Sequence, residues 1–197
     1  MISNPLSFAP TTVSSHTDKR VIAVGRYCYE KGYDHLLQAW AIVQDKRPDW
    51  RLDVFGDGDR SAYEALMDQY GVDHSRCKMN QSTQNIQQEF ERSAISVCSS
   101  RFEGFGLVII EAMACGVPVV SFDCPWGPRT IISDGEDGIL VENGNVNQLA
   151  DAILKIITDD QLRTAMGSKA SVNVQRFSIE IIANLWKKLF EEIVGNN

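Results

Sequence analysis

The chain has 197 residues, 44% hydrophobic and 23% charged, enough for one ordinary domain to bury a core without metal or disulfide staples. Nineteen Lys and Arg against 26 Asp and Glu leave a formal charge of −7, which argues against a global attraction to nucleic acid or an anionic membrane. Five scattered cysteines (Cys28, Cys77, Cys98, Cys115, Cys124) form no CxxC pair and suit a reducing, cytosolic-type compartment. No apolar run approaches the roughly 20 residues of a membrane span, and Met1 to Pro5 does not read as a signal peptide.

Residues 1–19 carry Pro5, Pro10 and a polar run from Thr11 to Asp18, so they are expected to form a linker or lead-in. Val21 to Val24 predicts a first strand. Tyr33, Leu36, Leu37, Trp40, Ala41 and Val43 follow at helical spacing. Leu52 to Phe55 reads as a strand, Tyr63, Leu66, Met67 and Tyr70 as a helix stripe, and Arg76 to Met79 as a weaker strand. Ala94 to Cys98 is a strand, after which a helix is expected from Phe105 or Gly106 through Ala114. Val117 to Val120 and Gly138 to Val141 complete six strands; three helices are then expected near 146–158, 160–174 and 179–194. Alternating strands and helices imply an α/β fold: a doubly wound, six-stranded parallel Rossmann-like sheet with additional C-terminal helices. In the last helix Ile179, Ile182, Leu185, Trp186, Leu189, Phe190 and Ile193 form a wide apolar face behind Ser178 as N-cap. That face either packs on the domain's own sheet or crosses onto a second domain outside this chain.

Ligands of an open parallel sheet bind beyond the carboxyl ends of its strands. Glycines and charges collect there, at Gly25-Arg26, Gly56-Asp57-Gly58, Asn80-Gln81, Ser99 to Gly106 and Asp123 to Gly127. Free amides at a helix start beside Gly104 and Gly106 favour phosphate. Glu103 and Glu111 are acceptor-only groups that suit vicinal hydroxyls; the plain alternative is that Glu103 complements the helix dipole and Glu111 lies on the surface. Arg26 and Lys31 leave one loop and can face one anion, or simply be solvated. Gly56-Asp57-Gly58 reads as a turn, and Trp126 as part of a rigid turn or as a lid or acceptor contact. His16, His35 and His74 do not cluster, so no metal is expected. A nucleophile-elbow turn, a Walker loop and a dinucleotide fingerprint are all missing from the sequence.

Arg101 to Val120 closely resembles the E-x7-E signature of the retaining glycosyltransferases of family 4, which have the GT-B fold, with Glu103 and Glu111 at the two signature positions. Val24 to Gly32 is similar to that family's G-R-x4-K-G loop. Phe55 to Gly58, Ile131 to Val141 and Asn4-Pro5 match further family segments in order. The resemblance implies that residues 20–197 are the donor-binding half of a two-domain enzyme, led into by residues 1–19 from an N-terminal domain outside this chain. It assigns the ribose hydroxyls to Glu111, the transferred sugar to Glu103, and the diphosphate to Arg26, Lys31 and the amides around Phe105, Gly106 and Leu107, with Gly25 and Gly104 in the same binding segments. It puts the base near Met79, Asn80 and Gln81, although the family often has glycine where this chain has Asn80.

The implied reaction is a retaining hexosyl transfer from a nucleotide diphosphate sugar to a glycan or lipid-linked acceptor in polysaccharide or lipopolysaccharide synthesis, with no metal or other cofactor. The Cys124 to Pro128 loop resembles members using UDP-galactose or UDP-N-acetylhexosamines. The implied location is cytoplasmic, at most at the inner membrane face through the other domain, and the chain by itself is expected to be inactive. A non-enzymatic nucleotide-sugar-binding module, a GT-B sugar-nucleotide epimerase and a starch- or glycogen-type synthase are the competing readings.

Overall fold

The computed structural model describes residues 2–10 and 12–195; Met1, Thr11, Asn196 and Asn197 lie outside the described residues. Six strands form one sheet: β1 (Arg20–Val24), β2 (Arg51–Gly56), β3 (Cys77–Gln81), β4 (Ile95–Cys98), β5 (Val119–Phe122) and β6 (Gly138–Val141). Their order is β3-β2-β1-β4-β5-β6 and every neighbouring pair is parallel. The order reverses between β1 and β4, which is where connections leave to opposite faces and a crevice opens at the carboxyl edge.

Side chains of β1 alternate between two cores. Val21 and Ala23 join Leu36, Leu37 and Trp40 of α1 (Tyr33–Lys46) and Ile153 and Ile156 of α6 (Val146–Thr158). Ile22 faces the other way, onto Phe90 of α3 (Ile86–Glu91) and onto Ile110 and Met113 of α4 (Leu107–Ala114), a cluster that also holds Phe177. Both faces of the sheet are thus covered, as an all-parallel sheet requires. The remaining helices are α2 (Ser61–Tyr70), α5 (Pro128–Ile131), α7 (Asp160–Asn173) and α8 (Ile179–Gly195). Among the described residues no helix is long and apolar enough to cross a membrane.

Several expectations shift. The fifth strand starts at Val119 rather than Val117, because Pro118 has no amide to donate and enters the ladder only through its carbonyl, which accepts from Ser96. The third strand runs on to Gln81, past the end of its apolar run. The lead-in is irregular yet tied down: Leu6 is buried and its amide bonds the Phe177 carbonyl, while the Ser14 amide bonds the Cys115 carbonyl.

The last helix does not pack on the sheet. Only Ile182 of its stripe is buried; Ile179, Leu185, Trp186, Phe190 and Ile193 are exposed, with the Trp186 and Phe190 rings stacked 5.7 Å apart. Periodicity defines a stripe but not its covering, and here most of the stripe meets solvent.

Candidate functional site

Two concavities lie side by side at the carboxyl edge of the sheet. The first, of about 230 Å³, is lined by Asn4, Lys31, Glu103, Phe105, Gly106, Leu107 and Val108. Its walls are loops pressed together. Gly32 (φ +61°) packs so closely that a β-carbon would stand 2.1 Å from the Ser99 carbonyl oxygen. The Arg101 amide donates to the Glu30 carbonyl at 2.7 Å, and its guanidinium grips Asp34 with two bonds of 2.9 and 2.6 Å while covering the Tyr29 ring at 4.1 Å. The result fixes Lys31 Nζ 2.7 Å from Glu103 Oε1, which also accepts from Ser100 Oγ at 2.6 Å. Burial pushes the Cys98 thiol below this carboxylate up, and the Glu103 charge adds to the effect, so Cys98 stays protonated. Gly106 (φ +99°) opens α4, leaving the Leu107 and Val108 amides without a backbone acceptor among the described residues.

The second concavity, about 260 Å³, lies over the carboxyl ends of β1, β2 and β3, next to the point where strand order reverses. Gly25, Arg26, Phe55, Asp57, Ser82, Thr83 and Glu111 are among its walls. Glu111 lies one turn along α4 from Leu107; Ser7 Oγ donates to its Oε1 at 2.5 Å. Burial raises the pKa of Glu111 above the ordinary carboxylate value, and the Ser7 bond opposes that rise. Arg26 is exposed and pairs with no carboxylate among the described residues. Gly25 joins the two concavities: a β-carbon there would meet Lys31 Cδ and Cε at 3.0 Å, so the lysine stem crosses over this glycine. Hollows about twice as large exist elsewhere, about 460 Å³ between the lead-in and α8 and about 490 Å³ around His16 and Arg163, but neither contains a glutamate of the pair.

Residues 9–172 match the family described as Glycosyl transferases group 1. The chain belongs to this family. It is 36% identical over 193 residues to an exopolysaccharide phosphotransferase of Streptomyces coelicolor, covering 97% of this chain and 20% of that protein. To a poly(ribitol-phosphate) alpha-N-acetylglucosaminyltransferase of Staphylococcus aureus it is 32% identical over 190 residues, covering 96% of this chain and 38% of that one. A solved S. aureus TarM mutant, in complex with fondaparinux, alpha-GlcNAc-glycerol and UDP, superposes with a TM-score of 0.85 at 30% identity, over 95% of this chain and 38% of that chain. This group 1 domain therefore spans well under half the length of each.

Within the glycosyl transferase domain, the structure brings Arg26, Gly25 and Glu111 to one concavity and Lys31, Glu103, Phe105, Gly106 and Leu107 to its neighbour. Gly104 is exposed in the turn between Glu103 and Phe105 and lines neither. Met79, Asn80 and Gln81 are also absent from both walls. The Met79 side chain is buried, its carbonyl accepts from Arg60 at 2.9 Å, the Asn80 carbonyl accepts from Tyr27 Oη at 2.6 Å, and Gln81 is exposed. Because β3 extends to Gln81, the residues beyond the strand are Ser82 and Thr83, and these are the ones that reach the crevice. Asp57, read as part of a turn, stands with them and accepts a hydrogen bond from Ser82. Among the described residues no three His, Cys, Asp or Glu side chains are placed to share a metal ion.

Proposed function

We propose that this domain is the donor-binding half of a retaining, metal-independent glycosyltransferase of family 4. It would transfer a hexose from a UDP-sugar, UDP-galactose or a UDP-N-acetylhexosamine, to a glycan or lipid-linked acceptor of a surface polysaccharide. One observation carries the reading: two acidic–basic concavities, Arg26 with Glu111 and Lys31 with Glu103, adjoin across Gly25 at the switch point of a parallel sheet.

The chemistry follows from what each group can do. Glu111 accepts hydrogen bonds from the ribose diol in place of the Ser7 hydroxyl, and Asp57, Ser82 and Thr83 offer polar contacts to the base. Breaking the sugar–phosphate bond leaves negative charge on the diphosphate. Arg26, Lys31 and the free Leu107 and Val108 amides neutralise that charge, the task a metal performs elsewhere. As Lys31 turns to the diphosphate, Glu103 exchanges its cation for hydroxyls of the departing sugar. Retention is then ascribed to acceptor attack on the face the diphosphate leaves. The UDP preference draws on the Cys124 to Pro128 loop and on the UDP held by the TarM mutant.

A second domain supplies the acceptor and the other wall of the cleft; the greater length of the relatives and the uncovered face of α8 support this division. Residues 1–19 lead in from it, and any peripheral membrane association runs through it. The five free thiols suit a cytoplasmic setting. Calorimetric titration with UDP, GDP, ADP and their hexose conjugates tests the reading. UDP and a UDP-hexose should bind most tightly, and sugar transfer should appear only when the acceptor domain is joined. Binding of none of the diphosphates would refute it, and binding without transfer by the joined protein would mark a non-enzymatic module.

A further inference from the structure

Trp126 has two properties that packing does not explain. At 77% exposure it is the most exposed large apolar side chain among the described residues, and its φ of +64° lies in the left-handed region that bulky residues rarely enter. Backbone strain of this kind persists only where surrounding structure imposes it, and it gathers at binding sites. The imposing contacts are visible here. Gly127 (φ +87°) lies so close to the β4–α4 turn that a β-carbon would stand 2.3 Å from the Phe105 carbonyl oxygen and 3.3 Å from Glu103 Cβ. Pro128 fixes the next torsion, and Arg129 folds back onto Asp123 at 3.0 Å. The loop is pinned to the turn that carries Glu103, and the indole is held in solvent one residue from that contact. Phe102, 57% exposed, immediately precedes Glu103 on the chain.

A carboxylate whose own turn and neighbouring loop carry exposed aromatic side chains, Phe102 and Trp126, suits a carbohydrate. Ring hydroxyls donate to the carboxylate, and the C–H face of a pyranose packs on an aromatic surface. The nucleoside is not the partner, because Asp57, Ser82 and Thr83 line the crevice on the β2 and β3 side, whereas Trp126 follows β5 on the other side of β1. We propose that Trp126 is a specificity-determining residue whose indole packs against a pyranose ring held at Glu103. That ring belongs either to the donor or to the acceptor glycan. The inference rests on the donor-site reading above.

The test titrates the chain and its Trp126→Gly and Trp126→Phe variants with UDP, UDP-glucose and UDP-N-acetylglucosamine, then adds free glucose or N-acetylglucosamine to the UDP-loaded protein. Glycine accepts the left-handed backbone, so that variant should keep its Tm and its affinity for UDP. If the ring is the donor's, the affinity for a UDP-sugar relative to UDP falls about tenfold in Trp126→Gly and recovers in Trp126→Phe. If it is the acceptor's, that ratio holds while free-sugar binding to the UDP-loaded chain disappears with the indole and returns with phenylalanine. Unchanged ratio and unchanged free-sugar binding overturn the assignment, as does an equal loss for UDP and UDP-sugar. A wild-type chain that binds no UDP brings down the donor-site reading itself, a result distinct from both.

Discussion

An ionised carboxylate in the stretch Ile109-Ile110-Glu111-Ala112 works against folding, and burial raises the Glu111 pKa accordingly. The folded state then holds the Glu111 proton more tightly than the unfolded chain does. Its favourable contribution is complete below the ordinary glutamate value and is lost as pH rises through the raised one. Glu111→Gln removes that cost at neutral pH while a carbonyl still accepts from Ser7, so thermal denaturation should show no drop in Tm. In the donor site proposed above the ribose hydroxyls donate to the ionised form, and hydrogen bonds to charged groups contribute about 1.5–3 kcal/mol. The same variant should therefore bind UDP about 10- to 100-fold more weakly. In the wild type, affinity measured by titration should decline as pH falls through the raised value.

Arg26 and Lys31 separate on the same grounds. Arg26 is exposed and unpaired among the described residues, so Arg26→Ala should lower UDP affinity far more than uridine affinity and leave stability unchanged. Lys31 neutralises a Glu103 side chain that is only 8% exposed. Lys31→Ala should show the same ligand pattern and also destabilise the fold by about 1–3 kcal/mol, between the values for surface and buried pairs. Equal losses for UDP and uridine would remove both cations from the diphosphate.

Among the elements, helices were most legible where a side chain closes them. Asn145 accepts from the Gln148 amide and Asp159 from the Leu162 amide, and the expected starts at 146 and 160 coincide with α6 and α7. Strand ends were less legible, because apolar runs mark burial while ladders continue through polar residues such as Asn80 and Gln81. The expectation at 79–81 rests on the end of the apolar run, whereas the residues that line the crevice, Ser82 and Thr83, follow the end of the ladder. Arg26, Lys31 and Glu103 could be singled out by position after a strand, and Glu111 by the apolar residues around it in its helix. The Lys31–Glu103 bond could not, since it depends on two loops meeting through Gly32. This meeting is itself testable. Gly32→Ala forces a β-carbon against the Ser99 carbonyl at positive φ and should cost about 1–3 kcal/mol along with weaker UDP binding. Gly104→Ala, with nothing within 4 Å of its added carbon, should stay within about 0.5 kcal/mol of wild type in chemical denaturation.

For the whole molecule, the apolar stripe of α8 decides what the domain needs around it. A helix that projects Leu185, Trp186, Phe190 and Ile193 into water contributes little packing to the sheet, and Ile182 is its one buried anchor in that stripe. Replacing Leu185, Trp186 and Phe190 together by serine should therefore leave the domain's own Tm nearly unchanged, since exposed positions shift stability by about 0.5 kcal/mol or less each. Joined to the acceptor domain proposed above, the triple variant should lose sugar transfer while UDP binding persists, because the stripe would then hold the two walls of the cleft in register. A large drop in Tm for the isolated domain would instead show that α8 packs on the sheet in solution. Full transfer by the joined variant would show that the stripe has no part in uniting the halves.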